Sequence, residues 1–209
     1  MPTHPTLSAD QIASSLRESF PNPFGDVDIA AEGGDGRIHA AVAVVLRGEK
    51  DPEVLFIKRA ERDGDPWSGQ MALPGGRKDT TDSTLLETAT RETEEETAVP
   101  LARVGTPLGR MEGMDPSTRR LPAITIFPFV FQVPEDTEAV PDSEEVDETL
   151  WVPLSVLQDP ETAGSVDIHV GDGATRPFPC WRVEGRVVWG LTHRILTRFL
   201  GRLTHTSDP

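Results

Sequence analysis

The chain has a single cysteine, Cys180, in 209 residues, so no internal disulfide can hold its fold. It also has no stretch approaching the ~20 consecutive apolar residues that span a bilayer, which argues against a membrane partner. Residues 1–8 carry neither a cationic nor an apolar leader segment, so nothing in them argues for export. A cytoplasmic setting is the simplest expectation, with Cys180 as a packing residue. Basic residues are scarce as well: 20 Lys and Arg against 35 Asp and Glu, a formal net charge of −15. Grooves for long nucleic acid draw their affinity from Lys and Arg on phosphates, so that partner class is disfavoured. A single nucleotide stays compatible, because a bound divalent cation inverts the local field. No internal repeat or low-complexity tract is present.

What is there suits a soluble globular protein: 36% hydrophobic and 26% charged residues. Ser8 and Gln11 read as a capping box, followed by Ile12, Leu16 and Phe20 on one helical stripe. A Gly-, Pro- and Asp-rich loop closes this extension over 1–37, and the main domain is expected over 38–203 with a tail at 204–209. Apolar runs at 38–46, 54–57, 71–73, 104–111, 123–133 and 148–152 predict strands. Helices are expected at 83–97, with Asp82 or Ser83 as cap, at 154–157 and at 191–203. Strands mixed with helices in this way predict an α/β (α+β) fold, a mixed sheet covered by helices on both faces.

The stretch that carries chemistry runs from Gly75-Gly76-Arg77 through Asp82 to Arg91-Glu92-Thr93-Glu94-Glu95-Glu96. At about 100° per residue, with Leu85 at zero, Glu96 falls near 20°, Glu92 near −20° and Glu95 near −80°. Glu92, Glu95 and Glu96 thus share a sector with the inward apolar stripe, whereas Glu87, Arg91 and Glu94 lie opposite. Glu87 and Glu94 read as solvated charges, Glu87 with an i,i+4 partner in Arg91. Like charges gathered at the edge of a buried stripe are costly without a cation. A set of carboxylate oxygens suits Mg²⁺ or Mn²⁺. Gly75 and Gly76 permit close backbone approach to a ligand just ahead of this helix.

These residues resemble the Nudix box: Gly, five residues, Glu, seven residues, then Arg-Glu-apolar-any-Glu-Glu-any-Gly-apolar. The chain has Gly76, five residues, Asp82, eight residues, then Arg91-Glu92-Thr93-Glu94-Glu95-Glu96-Thr97-Ala98-Val99. The departures are Asp82 for Glu, one extra residue, Thr93 for an apolar residue and Ala98 for glycine. The resemblance implies a Nudix-like α/β/α sandwich with a central mixed β-sheet. It also implies Glu92, Glu95, Glu96 and the Gly76 carbonyl as metal ligands, with Arg91 orienting a glutamate, for which Glu95, four residues on, is the candidate. The general base would be a box glutamate or a later loop carboxylate, for which Glu144 and Glu145 are candidates.

Asp82 and the extra residue resemble the coenzyme A pyrophosphatase branch. That branch carries an upstream Leu-Leu-x-x-Arg-Ser, a second arginine six residues on, then Gly and Phe-Pro-Gly-Gly. Arg59, Gly69, Pro74, Gly75 and Gly76 match, and Trp189-Gly190-Leu191-Thr192 is similar to that branch's Trp-Gly-x-Thr. Ala60, Leu73 and Asp65 depart. Asp65 stands where the second arginine would be and replaces attraction for a phosphate by repulsion.

The resemblance implies hydrolysis of a diphosphate linkage in a small nucleotide-derived substrate, foremost coenzyme A or a related nucleoside diphosphate linked to another moiety. Arg59, Gly75, Gly76 and Arg77 are the candidate substrate-binding residues. Dinucleoside polyphosphates or nucleotide sugars are the alternative substrates, and a catalytically silent nucleotide-binding module is the alternative class. The oligomeric state is open, a homodimer included.

Overall fold

A computed structural model describes residues 10–12, 14, 37–64, 67–116, 123–170 and 173–205. Its centre is β1 (Ile38–Arg47), a run of β-branched and small apolar residues with both faces covered. β1 lies parallel to β6 (Ile124–Val133) over its whole length, and β6 pairs antiparallel with β5 (Thr106–Arg110). On its other edge β1 meets β2 (Glu53–Arg59) only at Leu46↔Val54 and Arg47↔Glu53. The two strands then diverge, and the following segment fills the gap. Within it β3 (Met71–Ala72) pairs with β2, and β4 (Gly75–Arg77) pairs with β1 at Ala41↔Gly76 and Val42↔Gly75. β7 (Val146–Pro153) covers the outer edge of β2, completing a seven-stranded mixed sheet.

Alternation along β1 divides the core into two layers. Ala41, Ala43 and Val45 join Leu85, Ala89 and the phenylalanines of β6 beneath helix α1 (Leu85–Thr97). Val44 and Leu46 join Ile195, Leu196 and Phe199 beneath the helix that ends the described chain. Helices α2 (Leu101–Val104) and α3 (Leu154–Gln158) are short, and that last helix, α4, spans Gly190–His205. A separate three-stranded sheet, β8 (Ala163–His169), β9 (Thr175–Val183) and β10 (Arg186–Trp189), contributes Trp181, Val183 and Val188 to the α4 layer. The expected sandwich is therefore the observed one.

Several local expectations differ. The run at 104–111 is a helical turn ending at Val104 followed by a strand from Thr106, because Gly105 ends the turn as its C-cap. Residues 10–12 and 14 are helical, and Ile12 is fully buried in the α4-side core, so this segment packs on its own domain. The Ser8 cap, Leu16 and Phe20 lie outside the described residues, as does Asp65. Among the described residues no helix is long and apolar enough to cross a membrane.

Candidate active site

Helix α1 begins with neither Asp82 nor Ser83 but with Thr84. The Thr84 hydroxyl accepts from Glu87 N at 3.0 Å, and the Glu87 carboxylate accepts in return from the Thr84 backbone N–H at 3.3 Å. This is a capping box, so the exposed Glu87 is a structural cap as well as a solvated charge. The T-x-x-E spelling at 84–87 was the available signal.

Asp82 is free for another task. Its buried carboxylate receives Arg91 Nε at 2.9 Å and Nη2 at 2.8 Å, the Thr88 hydroxyl at 2.9 Å and Asp79 N at 3.0 Å. The Arg91 guanidinium, first of all, holds this carboxyl well below the usual carboxylate range. The remaining arginine nitrogen, Nη1, reaches Glu95 Oε2 at 2.9 Å, and Nη2 also lies 2.9 Å from Glu92 Oε1. Arg91 is thus a hub among three carboxylates and not a solvated residue. Helical spacing reveals the Arg91–Glu95 contact, four residues apart, but not the one with Asp82, which lies outside the helix.

The three glutamates are not equivalent. Glu96 is 5% exposed and accepts from Gly75 N at 2.8 Å. Burial, followed by repulsion from Glu92 and Glu145, pushes its pKa up to about 8 against the lowering effect of the Gly75 N–H. Glu92 is half-buried, and burial raises its pKa too. Glu95, with its side chain 56% exposed, stays at the rim instead of turning toward the core. Among the described residues no three acidic, His or Cys side chains converge as a ready cation cage, since Glu95 is drawn to Arg91 and Glu96 to Gly75. One buried and one half-buried carboxylate, mutually repelling, with a third at the rim, nevertheless offer only oxygen donors, the chemistry a hard divalent ion takes.

β4 makes the other wall. Gly75 has φ +146°, a conformation open to glycine, and a Cβ there would overlap the Ala41 carbonyl. A Cβ on Gly76 would overlap the Glu92 carboxylate. Backbone and carboxylate touch directly because both side chains are hydrogen. Arg77 lies exposed on the same strand. Arg59 ends β2 half-buried, near enough to Glu96 to oppose the rise in its pKa.

Glu145 sits where the loop before β7 returns to this wall. Ala60 N donates to its carbonyl at 2.8 Å, and Asp142 N donates to the Glu96 carbonyl at 3.2 Å. Glu92, Glu96, Arg59 and Glu145 are thereby brought together, with Glu95 at the edge. Glu144 is exposed and engages no partner among the described residues. Trp189 packs 5.7 Å from Phe178, ring to ring, and Cys180 is buried.

A Nudix domain model matches residues 37–169. The chain is 34% identical over 160 residues to an uncharacterized Nudix hydrolase, NudL, of Yersinia enterocolitica, covering 77% of this chain and 78% of that one. Among solved structures, the Nudix domain of Shewanella oneidensis NrtR, complexed with ADP-ribose, matches at 25% identity and TM-score 0.44, covering 59% of this chain and 78% of that one. A MutT/Nudix family protein from Enterococcus faecalis matches at 15% identity and TM-score 0.49, over 94% of this chain and 74% of that one. By the domain match and the NudL relative, the chain belongs to the Nudix hydrolase family, whose members hydrolyse pyrophosphate bonds, generally with divalent metal ions.

Proposed function

We propose that this chain is a Mg²⁺- or Mn²⁺-dependent pyrophosphohydrolase of a small nucleotide derivative, with coenzyme A or a related nucleoside diphosphate conjugate as the leading substrate. The observation that carries the reading is the burial of Glu96 and half-burial of Glu92 against Gly75-Gly76. Their charges are uncompensated there except by Arg91, Arg59 and one N–H. In this reading Glu92, Glu95, Glu96 and the Gly76 carbonyl hold the cation. A divalent ion held there would neutralise charge on a diphosphate and lower the pKa of a water bound to it.

The chain's own residues do the rest. Arg91, clamped by Asp82, fixes Glu95 at the rim. Glu145 takes the proton of the attacking water as general base. Arg59 and Arg77 supply positive charge for phosphate oxygens beside the glycine backbone. The catalytic unit is taken as 38–203, with 1–37 as an extension, 204–209 as a tail and a cytoplasmic setting. The box spacing and the Arg59 and Trp189-Gly190 matches favour the coenzyme A branch, and Asp65 opposes it.

The test is a panel of coenzyme A, ADP-ribose, diadenosine tetraphosphate and a nucleotide sugar, with phosphate-containing products identified in Mg²⁺ and in chelator. Coenzyme A is expected to be cleaved at its diphosphate and chelator to abolish turnover; activity indifferent to chelator would refute the reading. Glu96→Gln is expected to lower kcat by two orders of magnitude or more, on the order of 3 kcal/mol in the barrier. Its fold should persist, since a neutral amide relieves a buried charge. Wild-type melting temperature is expected to rise on adding Mg²⁺, and that of Glu96→Gln to rise much less.

A further inference from the structure

Arg62 belongs to no motif, yet its Nη1 lies 2.9 Å from Glu145 Oε1. The segments bearing the two residues are already fastened. Ala60 N donates to the Glu145 carbonyl at 2.8 Å, Arg62 N donates to the Ser68 hydroxyl at 2.8 Å, and Glu145 N donates to the Ser143 hydroxyl at 3.3 Å. What the backbone leaves undetermined is the orientation of one exposed carboxylate, which on its own would sample several rotamers. A planar guanidinium holding one oxygen removes most of that freedom. Among the described residues Oε2 of Glu145 accepts no hydrogen bond, so the pair leaves one carboxylate oxygen available to a water.

We propose that Arg62 is a positioning residue for Glu145: it holds Oε1, leaves Oε2 for the attacking water, and does not itself bind the substrate. The inference rests on Glu145 being the base. Recruitment of a substrate phosphate by Arg62 is the rival, and it differs in what it does to KM.

The experiment uses the full chain with Mg²⁺ and the substrate panel above, comparing wild type, Arg62→Ala, Arg62→Lys, Glu145→Gln and the double variant Arg62→Ala/Glu145→Gln. Arg62→Ala is expected to lower kcat about three- to fivefold, the scale of an exposed ion pair, with KM within about twofold. Arg62→Lys should recover much of the loss, and Arg62→Ala should cost nothing further in the Glu145→Gln background. A raised KM at unchanged kcat, or an equal penalty in both backgrounds, overturns the inference. A Glu145→Gln variant with wild-type kcat removes the base and the inference together.

Side-chain NMR gives a readout that needs no turnover. The χ1 couplings of Glu145 should keep single-rotamer values in wild type and Arg62→Lys and move toward rotamer-averaged values in Arg62→Ala. Unchanged couplings overturn the inference even where no substrate is cleaved, whereas a wild type silent across the panel counts against the hydrolytic reading alone.

Discussion

At the scale of single residues, the pair Asp82–Arg91 decides how the glutamates are presented. Asp82 is buried and Arg91 only partly exposed, so the pair is well shielded from solvent. Removing one partner of such a pair leaves the other charge unmatched, which for fully buried pairs costs roughly 3–5 kcal/mol. The partial exposure of Arg91 discounts that, and Asp82→Asn is expected to lose about 2 kcal/mol. The folded-state pKa of Asp82 is depressed, so its contribution is fully present above the unfolded value of about 3.9 and is lost as pH falls toward the folded one. Urea unfolding should therefore show a gap between wild type and Asp82→Asn at pH 7 that narrows below about pH 4. A gap independent of pH would mean that shape, not charge, makes Asp82 matter.

At the scale of the element, α1 shows which features a sequence discloses. Helical spacing places Glu92 and Glu96 inward, and the structure agrees, with Glu96 buried and Glu92 half-buried against Gly76. It misses Glu95 at the rim, because a wheel gives direction while exposure depends on what stands opposite. Thr93 departs from the apolar residue of the box yet is fully buried. Its hydroxyl bonds the Ala89 carbonyl at 2.7 Å, so its polarity is satisfied within the helix. The strands of the main sheet were legible one by one apart from β4, but the wedge of β3 and β4 between β1 and β2 was not. Pairing of that kind depends on long-range contacts that no local pattern encodes. Arg62 and Glu145, 83 residues apart, were invisible as a pair for the same reason.

Ala98 closes this helix in the left-handed conformation at φ 56°, where the family pattern has glycine. A Cβ in that region costs roughly 1–2 kcal/mol, and Ala98 is exposed, so its methyl has little packing to lose. Ala98→Gly is expected to stabilise the chain by about 1 kcal/mol, a rise of roughly 2–4 °C in melting temperature for this size. Calorimetry with kcat measured alongside checks it. A lower melting temperature would mean that the strain at the helix end is relieved some other way.

At the scale of the whole molecule, the net charge of −15 sets a problem for any anionic substrate. The far field repels it, while in the proposed reading Arg59, Arg77 and a divalent cation would attract it only at short range. The Debye length separates these contributions: it is about 30 Å at 0.01 M ionic strength and about 8 Å at 0.15 M. Raising salt over that interval screens the overall charge first and the site groups least. KM for a diphosphate substrate, measured at saturating Mg²⁺, is therefore expected to fall severalfold, with kcat nearly constant. A rise in KM would mean instead that attraction extends well beyond the site. The sign of the change thus tells whether capture of the substrate is governed by the acidic surface or by the few basic groups around Gly75 and Gly76.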